Sequence, residues 1–222
     1  MTSATNLRAD SSVTERPAFQ PEDGGSIPTS AHHLNKHAYE VRPCPLTDAQ
    51  RMVRDHHYSK GGSNTAVYTH GLYERATDRL VGVAWWLPPT RVAAESVNRA
   101  AWKQVLSLTR LVCLPGAPKN SASFLMAHSV RQIRKDGRFV SLVTYADESQ
   151  GHTGAIYLAA GWEYVGRTGP YPRWVDATGR QVACKATTNR TKAQMEALGH
   201  RRVGVYFKHK FVLHLNVNPP KR

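Results

Sequence analysis

The sequence predicts a mixed α/β domain in which a largely antiparallel sheet is split between two halves and flanked by helices. Three observations carry that prediction. Apolar runs of strand length recur along residues 38–215, separated by short helical stripes and Gly/Pro punctuation. The early strands follow one another through short turns, which makes them antiparallel neighbours, whereas the later strands are joined through helices. No segment repeats, and this order of elements is neither that of a doubly wound fold nor that of a barrel.

A first strand spans Ala38 to Arg42, and a helix opens at Leu46, with Thr47 or Asp48 as its cap and Ala49, Met52 and Val53 as its apolar stripe. Tyr58–Asn64 is a loop bending at Gly61 and Gly62, and Ala66–Glu74 and Leu80–Leu87 are strands joined by a turn at Ala76–Arg79. Val92–Gln104 reads as a helix or an irregular excursion over the sheet. A strand at Val105–Leu114 then leads through a proline-bearing loop to a helix from Ser121 to about Lys135. Phe139–Tyr145 is a buried strand, Gly154–Ala160 a short helix and Trp162–Gly166 a strand. Thr191–Leu198 is a further helix, and Val203–Leu215 forms one or two strands. Residues 1–37, rich in Ser, Thr, Pro and Gly, read as a disordered tail before a catalytic domain over 38–215, and 216–222 as a basic tail.

Charge restricts the partner. Across 222 residues, 30 Lys and Arg face 16 Asp and Glu, a net of +14. Residues 1–40 carry −2, so residues 41–222 carry +16, and residues 179–222 hold ten cations against the single acid Glu196. A field of that sign attracts polyanions, and each phosphate contact releases counterions from nucleic acid. No amphipathic basic helix accompanies the charge and no apolar run reaches a membrane span, so nucleic acid is favoured over a lipid surface. Cys44, Cys113 and Cys184 stand far apart without a CxxC pair, which suits a reducing cytoplasm, and no secretory signal precedes the domain.

Four segments hold side chains capable of chemistry. Residues 144–157 (TYADESQGHTGAIY) end a buried strand in a polar stretch with Asp147, Glu148, His152 and Tyr157, and the carboxyl end of a sheet strand is where such folds place ligands. Competing with that is a turn whose Asp147 only caps the next helix. The adjacent pair His56 and His57 cannot both face one way, and either with Asp147 and Tyr157 would make an acid–base or iron-binding set. Residues 115–123, with Lys119 and a run of hydroxyls at a helix start, could seat a phosphate, although an ordinary helix entry explains them as well. Trp85 and Trp86 close a strand, where one could stack on a nucleobase while the other packs in the core.

Taken together, residues 57–60 (HYSK), 80–85 (LVGVAW), 108–112 (LTRLV), 144–157 and 161–166 (GWEYVG) resemble the phage Mom family, DNA-modification proteins on a GNAT acyltransferase-like fold. The resemblance covers roughly residues 38–215. It implies a transferase, in the cytoplasm of a phage host, that converts adenine in double-stranded DNA to an N6-acetamido (methylcarbamoyl) form and so shields the DNA from restriction endonucleases. It also implies His56 or His57, Asp147 and Tyr157 as the catalytic set, with His56, Asp147 and Tyr157 as ligands of ferrous iron, and Arg110, Ser121 and Ser123 at the donor site. Acetyl-CoA is the donor that the fold implies, yet Pro115 and Pro118 stand in the loop where such folds offer backbone amides, and proline has none to give. Simple acetyl transfer would also leave a different linkage from an acetamido group. Two other classes remain open: an acetyltransferase acting on a small amine or a protein, and a non-catalytic DNA-binding protein. The oligomeric state is open, a homodimer included.

Overall fold

The computed structural model describes residues 32–182, 187 and 189–215. Most of the expected N-terminal tail, the whole of the expected C-terminal tail and Cys184 lie outside the described residues. Residues 32–34 already pair with the domain: the Leu34 amide donates to the Lys119 carbonyl at 3.0 Å, and the Lys119 amide donates to the His32 carbonyl at 3.1 Å.

Seven strands form the main sheet in the order β1-β2-β3-β4-β5-β9-β6, where β1 is Tyr39–Pro43, β2 Tyr68–Glu74, β3 Arg79–Leu87, β4 Val105–Cys113, β5 Ser141–Asp147, β6 Glu163–Arg167 and β9 Lys208–His214. All neighbours are antiparallel except β4 and β5, which run parallel. Parallel strands need a crossover, and helix α3, Ser121–Asp136, supplies it. A separate two-stranded ribbon pairs β7, Tyr171–Val175, with β8, Arg201–Tyr206. Helices α1 (Leu46–His56), α2 (Arg91–Glu95), α4 (Ala155–Ala159) and α5 (Lys192–Ala197) complete the described elements, with single 3₁₀ turns at Trp102–Gln104 and Glu148–Gln150.

Helices cover both faces of the sheet. Leu125, Met126, Val130 and Ile133 of α3 bury one face against Leu72, Val81, Trp86, Leu106 and Leu142. Across the sheet, Ala49, Met52 and Val53 of α1 pack on Val83, Trp85 and Val112, and Ala94 of α2 packs on Val105, Val143 and Val212. Successive strand side chains point to opposite faces, so two-sided cover buries neighbours together. Trp85 and Trp86 are accordingly 1% and 0% exposed. The expectation that one of them stacks on a nucleobase is therefore corrected: each indole N–H is used internally, Trp85 to the Thr65 carbonyl at 3.3 Å and Trp86 to Ser129 Oγ at 2.6 Å.

Ser129 joins a second buried group. Its Oγ also lies 2.6 Å from His70 Nδ1, and all three side chains are closed to solvent. With the indole donating to Oγ, the serine hydroxyl is free to donate to a neutral imidazole. Ser129→Ala should strand the Trp86 N–H and the His70 nitrogen and destabilise the fold by about 2 kcal/mol. Urea unfolding checks this, and a change below about 0.5 kcal/mol would show that neither group needs the serine.

Two local readings differ from expectation. Helix α1 begins right after Pro45 with no side-chain cap, and Asp48 in its first turn pairs with Arg51 at 3.1 Å instead. Strand β7 has no counterpart among the expected elements, whereas Val203–Leu215 takes the expected two-strand form, parted at Phe207.

Candidate active site

The split in the sheet has a visible cause. Strands β4 and β5 pair only from Val105–Ser141 to Leu108–Thr144, though both run on beyond that point. At the same place the β3–β4 register slips, so that Trp85 faces Arg110 and Trp86 faces Leu108, leaving Thr109 as an extra residue. A bulge bends and twists its strand, and here it turns β4 away from β5. The opening holds a cavity of about 390 Å³, floored by Leu108, Thr109, Thr144 and Ala146 and closed by the glycine-bearing loop 151–154 and α4. His57 and Tyr58 reach it from the loop after α1, and Ala122 from the first turn of α3. Unpaired strand edges are rich in free N–H and C=O groups, so this is a slot that can hold an extended amide-bearing chain.

Among the expected catalytic residues, the structure brings His57 and Tyr157 to this cavity. His56 does not reach it: as the last residue of α1 it is exposed beside a different cavity, next to Arg42, Asp48 and Asp55. Helix geometry explains the separation, because consecutive residues leave a helix about 100° apart. Asp147 is buried at the end of β5 with its carboxylate engaged, accepting from the Tyr171 hydroxyl and from the Ser149 amide at 3.0 Å. That carboxylate is a tie between the sheet and the ribbon. Arg110 is half-buried and donates through Nε to the Gly61 carbonyl at 3.1 Å, fastening the His57 loop to β4. Ser121 turns its hydroxyl back to the Pro118 carbonyl at 2.7 Å. Ser123 borders another cavity with Lys36, Phe124 and His128.

The set His56, Asp147 and Tyr157 does not fit an iron ion. Its histidine lies outside the cavity, its carboxylate is already bonded, and among the described residues no three His, Cys, Asp or Glu side chains converge to hold a metal. Burial also raises the Tyr157 phenol above its ordinary value, the opposite of what a phenolate ligand needs. The donor loop is partly spent as well: its Ala117, Lys119 and Ser121 amides donate to Leu114, His32 and Pro118, and its two prolines have no N–H.

His57 is the informative side chain. Burial, then the charge of Arg110, pushes its imidazole down to about 4, so it is neutral at pH 7. The Ser59 amide donates to Nδ1 at 3.1 Å, with Ser59 Oγ at 2.9 Å from the same nitrogen. An amide can only donate, so Nδ1 is an acceptor and the ring proton sits on Nε2. His152 was named within the polar stretch after β5 and Tyr58 only within the HYSK segment, neither with a role; the Tyr58 ring lies 4.3 Å from His57 and edge-on to His152 at 5.7 Å, building an aromatic rim. Their proximity to His57 and Gly151 in sequence was the available signal. Tyr157 is held between Trp162 and Phe211, at 5.8 and 5.2 Å, and its hydroxyl meets Thr144.

Two depressed histidines set an acid limit on stability. Burial places His70, like His57, at about 4. Unfolded imidazoles titrate near 6.5, so below that pH the unfolded chain binds more protons than the native one. Their contribution is complete above pH 6.5 and is lost as pH falls toward 4, each histidine costing at most about 1.4 kcal/mol per pH unit. Urea midpoints measured at pH 7.5, 5.5 and 4.5 should fall in that order. A midpoint indifferent to pH over this window would contradict the burial of both rings.

The sequence pattern of the Mom protein family matches residues 38–216. The chain belongs to the Mom protein family. It is 29% identical over 125 residues to a curated relative, the methylcarbamoylase Mom of Escherichia phage Mu, an alignment covering 53% of this chain and 49% of that one. The chain thus matches about half the length of that curated relative. Among solved structures, NAA60 of Arabidopsis thaliana, in complex with a bisubstrate analogue, is similar at a TM-score of 0.51 with 11% identity, over 81% of this chain and 99% of that one. A mosquito arylalkylamine N-acetyltransferase-like protein also gives 0.51, with 10% identity over 80% of this chain and 100% of that one. The fold of this Mom-family chain is that of the GNAT acetyltransferases, and its parted β4 and β5 are the expected division of the sheet. No helix among the described residues is long and apolar enough to cross a membrane.

Proposed function

We propose that this protein modifies the exocyclic amine of adenine in phage DNA, giving the N6-acetamido form that restriction endonucleases fail to cut. The observation that carries the reading is the cavity at the β4–β5 divergence, with a neutral His57 and a protonated Tyr157 facing one slot in a Mom-family chain. The cytoplasm of a host cell is where such DNA is met, and the +14 charge supports a polyanionic substrate. Residues 38–215 form the catalytic domain in this reading.

The unpaired edges of β4 and β5, with Ala122 at the mouth, would hold a thioester donor of the acetyl-CoA type, which would supply an acyl group and release its thiol; an acetyl group alone would leave an N6-acetyl linkage, so the acetamido form requires that the group supplied already carry the amide nitrogen. A purine amine is inaccessible inside a duplex, so the base must be turned out of the stack and into the cavity. Tyr58 and His152 at the rim offer rings for the extruded base to stack on. His57, with its proton on Nε2, acts as a donor to oxygen on which negative charge gathers, because a neutral imidazole with Nδ1 already engaged has no free lone pair for a proton. Tyr157, kept protonated by burial, gives its proton to the departing group and takes up the one that the attacking amine releases. Asp147 positions the end of β5 through Tyr171.

The test is mass spectrometry of nucleosides from DNA of cells expressing the protein. A modified deoxyadenosine is expected with the parent and should disappear with Tyr157→Phe. Unaltered DNA beside acetylation of a small amine or a protein would overturn the reading.

A further inference from the structure

We propose that the segment inserted between β6 and β9 is a grip for the phosphate backbone of duplex DNA, centred on the groove between α5 and β8. This deepens the proposed function and rests on it. Residues 168–207 carry seven cations against two acids, Asp176 and Glu196, although the described ones among them add nothing to the main sheet. The groove has a volume of about 570 Å³ and is lined by Lys192, Glu196, His200, Arg201 and Arg202. Glu196 is offset by Lys192 at 3.7 Å, so the exposed pair Arg201 and Arg202 sets its sign. His200 Nδ1 is buried beneath the groove with no hydrogen-bond partner among the described residues.

Placement favours a duplex. The ribbon β7–β8 is tied to the rim of the cavity by the Tyr171 hydroxyl on Asp147 and by Arg173 Nη1 donating to the Ser149 carbonyl at 2.9 Å. A strand of phosphates held on β8 is thereby held in fixed relation to the slot that receives the base. A two-stranded ribbon is also narrow enough to follow a DNA groove while its cations meet the backbone. An acidic peptide would match the charge but not the spacing of a substrate that must present one base to the cavity.

Binding of the full-length protein to a fluorescent duplex oligonucleotide, measured by anisotropy across salt concentrations, tests this. R201Q/R202Q should lower the steepness of log K against log salt by about 2 and weaken binding roughly tenfold or more at 0.1 M salt. R134Q/K135Q, at the exposed end of α3, should change neither, and equal urea midpoints should show that both variants fold. A duplex bound by R201Q/R202Q with the parent's slope would overturn the grip and leave the proposed function standing. A parent that ignores duplex in dilute salt while it acetylates a free amine would overturn both.

Discussion

Replacing His57 with Phe should lower kcat/KM for DNA modification by roughly 10²–10³-fold, the usual cost of losing one donor aimed at developing negative charge. Phenylalanine keeps the ring that faces Tyr58 at 4.3 Å and removes the Nε2–H. Glutamine, whose side-chain amide can donate, should recover part of the loss, and a smaller effect on KM than on kcat is expected. The pH profile separates a donor from a base. Because burial holds His57 at about 4, the parent should show no loss of rate from this residue near 6.5, where an unperturbed imidazole would titrate. An inflection near 6.5 that vanishes in the His57 variants would instead make the ring a proton acceptor and sink the tautomer argued from the Ser59 amide.

The expected elements of the main sheet were legible because their residues answer to one requirement, burial. Val105–Cys113 and Ser141–Asp147 are apolar enough to be strands under any topology, and the α1 stripe of Ala49, Met52 and Val53 needs a partner face. The ribbon was not legible. Strand β7 reads YPRWV, with a proline and an arginine where a core strand would alternate, because it pairs with β8 outside the main sheet. The two adjacent tryptophans mislead for a related reason: a strand covered on one side would expose one of them, and only the packing of α1 and α3 on opposite faces buries both.

At the site, residue types were legible and partners were not. Polar groups after β5 marked the cavity, since a strand that ends in Asp147, Glu148 and His152 is no longer satisfying a core. Which of them face the slot depends on contacts from far along the chain. Tyr171 claims the Asp147 carboxylate from 24 residues away, and Phe207 gives its amide to Glu148 at 3.0 Å from 59 residues away. His56 and His57 differ by one position yet face different cavities, a distinction that rests on where α1 stops. The bulge at Thr109, which opens the slot, leaves no mark in composition at all.

Gly154→Ala should destabilise the protein by about 4 kcal/mol and remove activity with it. Gly154 precedes α4 with φ at +79°, where any Cβ is strained by about 1–2 kcal/mol. A methyl there would also sit 2.2 Å from the Phe211 ring, which is 1% exposed in β9 and has no empty space to enter. Shifting that ring disturbs Tyr157, whose ring lies 5.2 Å from it, so the damage reaches the reacting groups. Gly151 supplies the control. It too is left-handed, with φ at +70°, but nothing lies within 4 Å of the point a methyl would occupy, so Gly151→Ala should cost only the backbone strain. Urea unfolding of the two variants should therefore differ by roughly 2–3 kcal/mol, the cost of overpacking. Equal losses would mean that the turn alone demands glycine at 154 and that Phe211 can yield.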